Sequence, residues 1–330
     1  MSAGTTTAGF RRLAALAAAL ALLVTVFGAF VRLSNAGLSC PDWPTCYGRL
    51  TWPKHEADIA RANEAFPERP VESHKAWREQ VHRFLAGGLI VATFALAALS
   101  WRRRRAPDQP WQVPLAASLL IVFQALLGMW TVTWKLKPIV VMAHLLGGMA
   151  TFALLVWIWT RARGAGAVAA APALARLIAL GLALLALQIA LGGWTSSNYA
   201  AFACGTDFPK CLDQWWPATD FREAFVLWRG IGVDYEGGVL DGPARVAIQL
   251  AHRGFALVLA AFLLVLGLRC LRERAWRGAG MLLLGLLALQ LGLGVANVMT
   301  GLPLWIAVAH TGVAALLLAV LVAMLARARA

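Results

Sequence analysis

Eight apolar stretches of about 20 residues constrain this chain more than any other feature, because that is the length a helix needs to cross the hydrocarbon core of a bilayer. They lie near 13–33, 81–101, 113–134, 139–160, 174–195, 246–268, 279–299 and 304–326. Hydrophobic residues make up 60% of the sequence and charged residues only 14%, far from the soluble average, so the runs are read as membrane spans and not as buried core. Backbone groups in a bilayer must bond within their own segment, which makes the expected fold an all-α integral membrane protein. The first run follows Arg11 and Arg12 and looks like a signal peptide. It outlasts the usual apolar region of such peptides and ends in Val31-Arg32-Leu33-Ser34-Asn35 without a small-x-small cleavage site, so it is read as a retained helix.

Arginine collects in alternate connections: Arg11 and Arg12, Arg102 to Arg105, Arg161, Arg163 and Arg176, Arg269, Arg272, Arg274 and Arg277, then Arg327 and Arg329. Eight crossings put all of these on one face, and positive residues resist translocation, so both termini are expected to be cytoplasmic. The net charge of +14 sits largely in these clusters, where topology accounts for it, and no nucleic-acid partner is expected. The opposite, outer side carries two long loops, 34–80 and 196–245.

The order of long and short connections repeats, as do local segments. Val81-His82-Arg83-Phe84 matches Ala251-His252-Arg253-Gly254, and Met142-Ala143-His144-Leu145 matches Val308-Ala309-His310-Thr311, about 170 residues later. Gln124, Gln188 and Gln290 each precede a glycine-containing stretch near the outer end of a helix. The sequence therefore predicts two tandem four-helix bundles related by pseudo-two-fold symmetry, residues 1–165 and 166–330, joined by an Ala/Gly/Arg-rich linker near 161–173.

A histidine inside a membrane helix is costly and ordinarily faces the bundle interior. His82, His144, His252 and His310 all lie toward the outer ends of their helices, two in each half. Haem iron takes one axial ligand from each side of its plane, which suits one histidine from each of two facing helices. Zinc or copper would want more ligands per cluster. A lone membrane histidine is most simply a donor to a neighbouring carbonyl, but four in register argue for two bis-histidine sites. His55 and His74 have no counterpart in the second half and read as surface residues.

Glu79 precedes His82 by three residues, whereas Gln249 stands in the same place before His252. That spacing puts both side chains on one helix face. A carboxylate beside one site and a neutral amide beside the other suggest chemistry in the first half and electron storage or transfer in the second, with Glu79 as the proton-handling group. The plainer reading is a helix-start glutamate paired with Arg78 or Arg83. Arg32, Arg83 and Arg253 are candidates for haem propionate contacts and equally for interfacial anchors. Cys40 and Cys46 fall in the first outer loop and Cys204 and Cys211 in the second, on the side where disulfides persist. Two short-range pairs, Cys40–Cys46 and Cys204–Cys211, are the simplest of three connectivities, and a thiol relay is the functional alternative.

Together these residues resemble the haem A synthase family of aerobic respiratory chains. The resemblance is carried by Asn35-Ala36-Gly37-Leu38-Ser39-Cys40-Pro41-Asp42-Trp43-Pro44, by Glu79-x-x-His82-Arg83, by Gln249-x-x-His252-Arg253, and by His144 and His310, and it covers nearly the whole chain. It implies oxidation of the ring carbon 8 methyl of haem O to a formyl group by successive hydroxylations. It further implies substrate haem at His82 and His144 with Glu79 catalytic, and a resident haem b on His252 and His310. Haem O synthase and an electron acceptor are the implied partners, in a cell inner membrane with the haem sites toward the periplasmic face, and a homo-oligomer is compatible with this. A non-catalytic dihaem electron carrier would also use two bis-histidine sites, but a conduit through the bilayer should place haems near both faces. A transporter of two parallel repeats accounts for the symmetry and not for the histidines. No D-D-x-x-D diphosphate motif is present, which argues against a prenyl transferase.

Overall fold

The computed structural model describes residues 7–106, 111–164 and 172–328. Most of the linker near 161–173, the division at 165/166 and Arg329 lie outside these. Among the described residues the protein is helical, with α1 (Ala8–Leu33), α2 (Glu56–Ala65), α3 (Ser73–Arg102), α4 (Gln112–Thr133), α5 (Pro138–Ala162), α6 (Pro172–Ser197), α7 (Phe221–Ala224), α8 (Gly242–Leu271), α9 (Arg277–Met299) and α10 (Leu304–Ala328). All but α2 and α7 are long and apolar enough to cross a membrane, matching the eight expected spans in a multi-pass membrane protein.

The helices begin where sequence chemistry starts them. Thr7 Oγ1 accepts from the Phe10 amide to open α1, and Asp241 Oδ1 accepts from Ala244 to open α8, whose first turn holds Pro243. Helix α3 starts at Ser73 and not at the apolar edge near 81, because its first turns are polar and bonded to the loop around them. Gln80 Nε2 donates to the Leu50 carbonyl at 2.7 Å, and Ser73 Oγ donates to Pro53. At their C-terminal ends α1, α4, α6 and α9 close alike: a residue in the left-handed region follows, and the next amide donates five residues back, as in Ala36 to Val31 and Ala200 to Thr195.

Helix α1 packs on α3 and α5, and α4 packs on α3 and α5, so the four form a ring. The same succession recurs in α6, α8, α9 and α10. The rings meet where α10 lies against α1 and α5 and where α5 lies against α6. Alanines at 14, 17, 18 and 21 supply a small-residue stripe on the buried face of α1, which lets neighbouring backbones approach closely. Half of the apolar window of α10 is buried, against 17% for α9, so α10 is the enclosed helix and α9 a peripheral one facing lipid.

Candidate functional site

Each of the four histidines lies across a glycine of a neighbouring helix. A Cβ placed on Gly28 (α1) would stand 2.8 Å from His82 Cε1 (α3). The corresponding distance is 3.2 Å for Gly128 (α4) with His144 (α5), for Gly192 (α6) with His252 (α8) and for Gly294 (α9) with His310 (α10). Only a residue without a side chain lets an imidazole lie this close to the opposing backbone. His82 and His144 stand on helices of one ring, and His252 and His310 on helices of the other. All four histidines are half-buried.

Glutamine supports three of the four. Gln124 Nε2 donates to the His144 carbonyl at 2.7 Å and lies 3.5 Å from its Nδ1. Gln188 Nε2 is 3.1 Å from His252 Nδ1 and 3.2 Å from its carbonyl, and Gln290 Nε2 is 3.2 Å from His310 Nε2. In all three amides Oε1 is buried without a hydrogen-bond partner; turning the Gln290 amide would offer the His310 ring an acceptor, whereas Nε2 of Gln124 and Gln188 is held by the carbonyl of the same histidine it supports. In the sequence alone these glutamines mark only the repeat. The signal that finds them is Q-x-x-x-G, present at Gln124/Gly128, Gln188/Gly192 and Gln290/Gly294.

Glu79 is 5% exposed and fully engaged. Oε1 accepts from Arg83 Nη2 at 2.6 Å and Oε2 from the Cys40 amide at 2.9 Å. Arg83 Nη1 in turn donates to the carbonyls of Asp42 and Thr45, at 2.9 and 2.5 Å. The partner of Glu79 is thus Arg83, while Arg78 stacks over Phe30. The carboxylate joins the turn bearing His82 to the loop closed by the Cys40–Cys46 disulfide. That loop is tied further by Asp42, whose Oδ1 accepts from the Tyr47 amide and Oδ2 from Gly48 and Thr45. Burial pushes the Tyr47 hydroxyl up to about 12, which keeps it a donor to the Arg69 carbonyl 3.0 Å away.

The second half repeats this clamp with different charge. Cys204 and Cys211 are bonded, Asp207 Oδ2 accepts from the Asp213 amide, and Arg253 Nη1 donates to the carbonyls of Lys210 and Asp207. Gln249 is buried with Oε1 unpartnered, and Arg253 keeps Nε and Nη2 unpartnered as well. Arg32 donates to the Ser196 carbonyl at 2.6 Å and lies over the Tyr199 ring, with Nε free. Of the three arginines singled out by sequence, Arg83 therefore has both terminal nitrogens committed, whereas Arg32 and Arg253 retain buried donors. His55 precedes α2 on the surface, and His74 is exposed beside Glu72. Cys270 is buried and unbonded.

Among the described residues no three His, Cys, Asp or Glu side chains converge to hold a bare metal ion. Paired imidazoles with unpartnered amide oxygens behind them fit a planar group that brings four of its metal's ligands with it. A family model described as cytochrome oxidase assembly protein, COX15-CtaA, matches residues 11–322. The chain is 44% identical over 304 residues to a protein of Shewanella oneidensis named heme A synthase, covering 91% of each chain. It is 30% identical to one of the same name from Caulobacter vibrioides, covering 94% of each, and 24% identical to one from Bacillus licheniformis, covering 88% of this chain and 86% of that one.

Proposed function

This chain belongs to the COX15-CtaA family of cytochrome oxidase assembly proteins, and we propose that it is a haem A synthase that oxidises the ring carbon 8 methyl of haem O to a formyl group by successive hydroxylations. Its relatives are named as enzymes, which supports this reading over a non-catalytic electron carrier. The two halves, divided near 165/166, are assigned different roles: His82 and His144 take the substrate haem, and His252 and His310 hold a resident haem b. Haem b supplies one-electron transfer when bound. The observation that carries the division is the buried carboxylate of Glu79, one turn from His82 on the same face of α3, where the second half has the neutral Gln249.

The chain's own residues then act as follows. Gln124 orients the His144 ring and Gln188 and Gln290 orient His252 and His310. Glu79, which accepts hydrogen bonds from Arg83 and the Cys40 amide, stabilises positive charge that develops near the substrate methyl or accepts a proton. The unpartnered donors of Arg32 and Arg253 are suited to propionate carboxylates. The arginine clusters on alternate connections and the disulfides in the two long loops support a cell inner membrane location with cytoplasmic termini and haem sites toward the periplasm. Haem O synthase and an electron acceptor are the proposed partners, with homo-oligomer formation as a further contact.

Expression in a host that makes haem O but lacks its own haem A synthase tests the reading directly. Haem A should appear among the extracted haems by chromatography and mass. Bound haem b with no haem A, despite ample haem O, would overturn the enzyme reading. The crossing geometry has its own test in Gly28→Ala, since the new methyl would meet His82 Cε1 at 2.8 Å and must displace the ring. The absorption and spin-resonance signals of the first site should shift, while Gly192→Ala, with 3.2 Å available, should perturb the second site less. Identical spectra for wild type and Gly28→Ala would sink the assignment of that crossing to a haem.

A further inference from the structure

We infer that His82 is the detachable ligand of the four histidines, because the position that holds the supporting glutamine in the other three crossings is occupied by Val24. The inference rests on the haem reading above and adds a division of labour within it. In the three supported crossings a glutamine stands one helical turn inward of the glycine that faces the imidazole, at Gln124/Gly128, Gln188/Gly192 and Gln290/Gly294. The fourth follows the same spacing as Val24/Gly28. Val24 is half-buried on α1 and has no hydrogen-bonding group to offer, and His82 Nδ1 is buried without a partner; Nδ1 of His310 is unpartnered too, but that ring meets Gln290 through Nε2 at 3.2 Å.

A side chain that bonds the far nitrogen of a ligating imidazole fixes the ring's rotation and raises its basicity. Where that partner is missing, the ring is free to turn about its side-chain torsions with only packing to resist it. The freedom belongs to the ring and not to the helix, since Glu79 and Arg83 on the flanking turns pin α3 to the disulfide loop. The placement matches the traffic each site must carry. A substrate haem has to arrive and leave as product, and its site has one held histidine, His144, and one unheld, His82. A resident haem has to stay, and both of its histidines are held.

Haem release from the purified full-length protein reads this out without catalysis. The protein, expressed with haem O available, is mixed with excess apomyoglobin and haem transfer is followed by absorbance. The phase missing from His82→Ala identifies the first site. Val24→Gln should slow that phase about 10-fold or more, the usual weight of such a supporting group, and leave the other phase unchanged. Val24→Leu, which adds bulk without an amide, should leave both phases at the wild-type rate. Gln188→Val should speed the second phase by a similar factor. An unchanged first phase in Val24→Gln, equal slowing by Val24→Leu, or an unchanged second phase in Gln188→Val would overturn the inference. Wild-type protein that carries no haem would instead overturn the haem reading beneath it.

Discussion

Replacing Glu79 by Gln should lower haem A formation by about 10²- to 10⁴-fold, the usual weight of a positioned acid–base group, while the haem content of the purified protein stays at the wild-type level. Gln is the informative replacement. Its amide oxygen can still accept from the Cys40 amide, so the loop keeps that tie, while its NH2 faces Arg83 and the charged hydrogen bond to Arg83 is lost together with the negative charge. Ala would leave the Arg83 guanidinium buried without its carboxylate, a loss of about 3–5 kcal/mol that would confuse chemistry with folding. Extracted haems quantified by chromatography give conversion, and absorbance of the intact protein gives occupancy. Full conversion by the variant, or loss of its haem, would remove Glu79 from the catalytic role.

Replacing His252 or His310 by Ala should strip the resident haem and leave the other half able to bind substrate. Each ring is the only imidazole facing its glycine, Gly192 or Gly294, so no neighbouring ligand can take its place there. Haem stoichiometry should fall by one per chain, and haem A formation should fall with it. Retention of both haems by both variants would sink the proposed division between the halves.

Much of the architecture can be read from the sequence because a bilayer admits few solutions. The eight spans follow from apolar run length alone, and the observed helices agree to within a few residues except at outer starts. Helix α3 begins at Ser73, well before its apolar run near 81, because Glu79, Gln80 and Arg83 are bonded to the loop and hydropathy cannot see that. Helices α2 and α7 are invisible to hydropathy for a related reason: both are short and polar, and α2 is held by Arg49, Asp58 and Arg61 and by burial of Ala62 against the first disulfide. The pairing of Cys40 with Cys46 and of Cys204 with Cys211 follows from proximity along the chain. The histidines stand out as costly residues in an apolar setting, but the groups behind them do not. Gln188 and His252 are 64 residues apart, and only the packing of α6 on α8 shows that one serves the other.

The central position of α10 bears on how such a chain drifts over generations. Lipid tails are as apolar as leucine, so a lipid-facing residue of peripheral α9 can exchange with other large hydrophobics and leave the fold indifferent. A change on α10 is met at once by α1, α5, α6 and α9, and so by both halves. Substitutions should therefore be absorbed easily along the outer wall of α9 and poorly along the seam of α10.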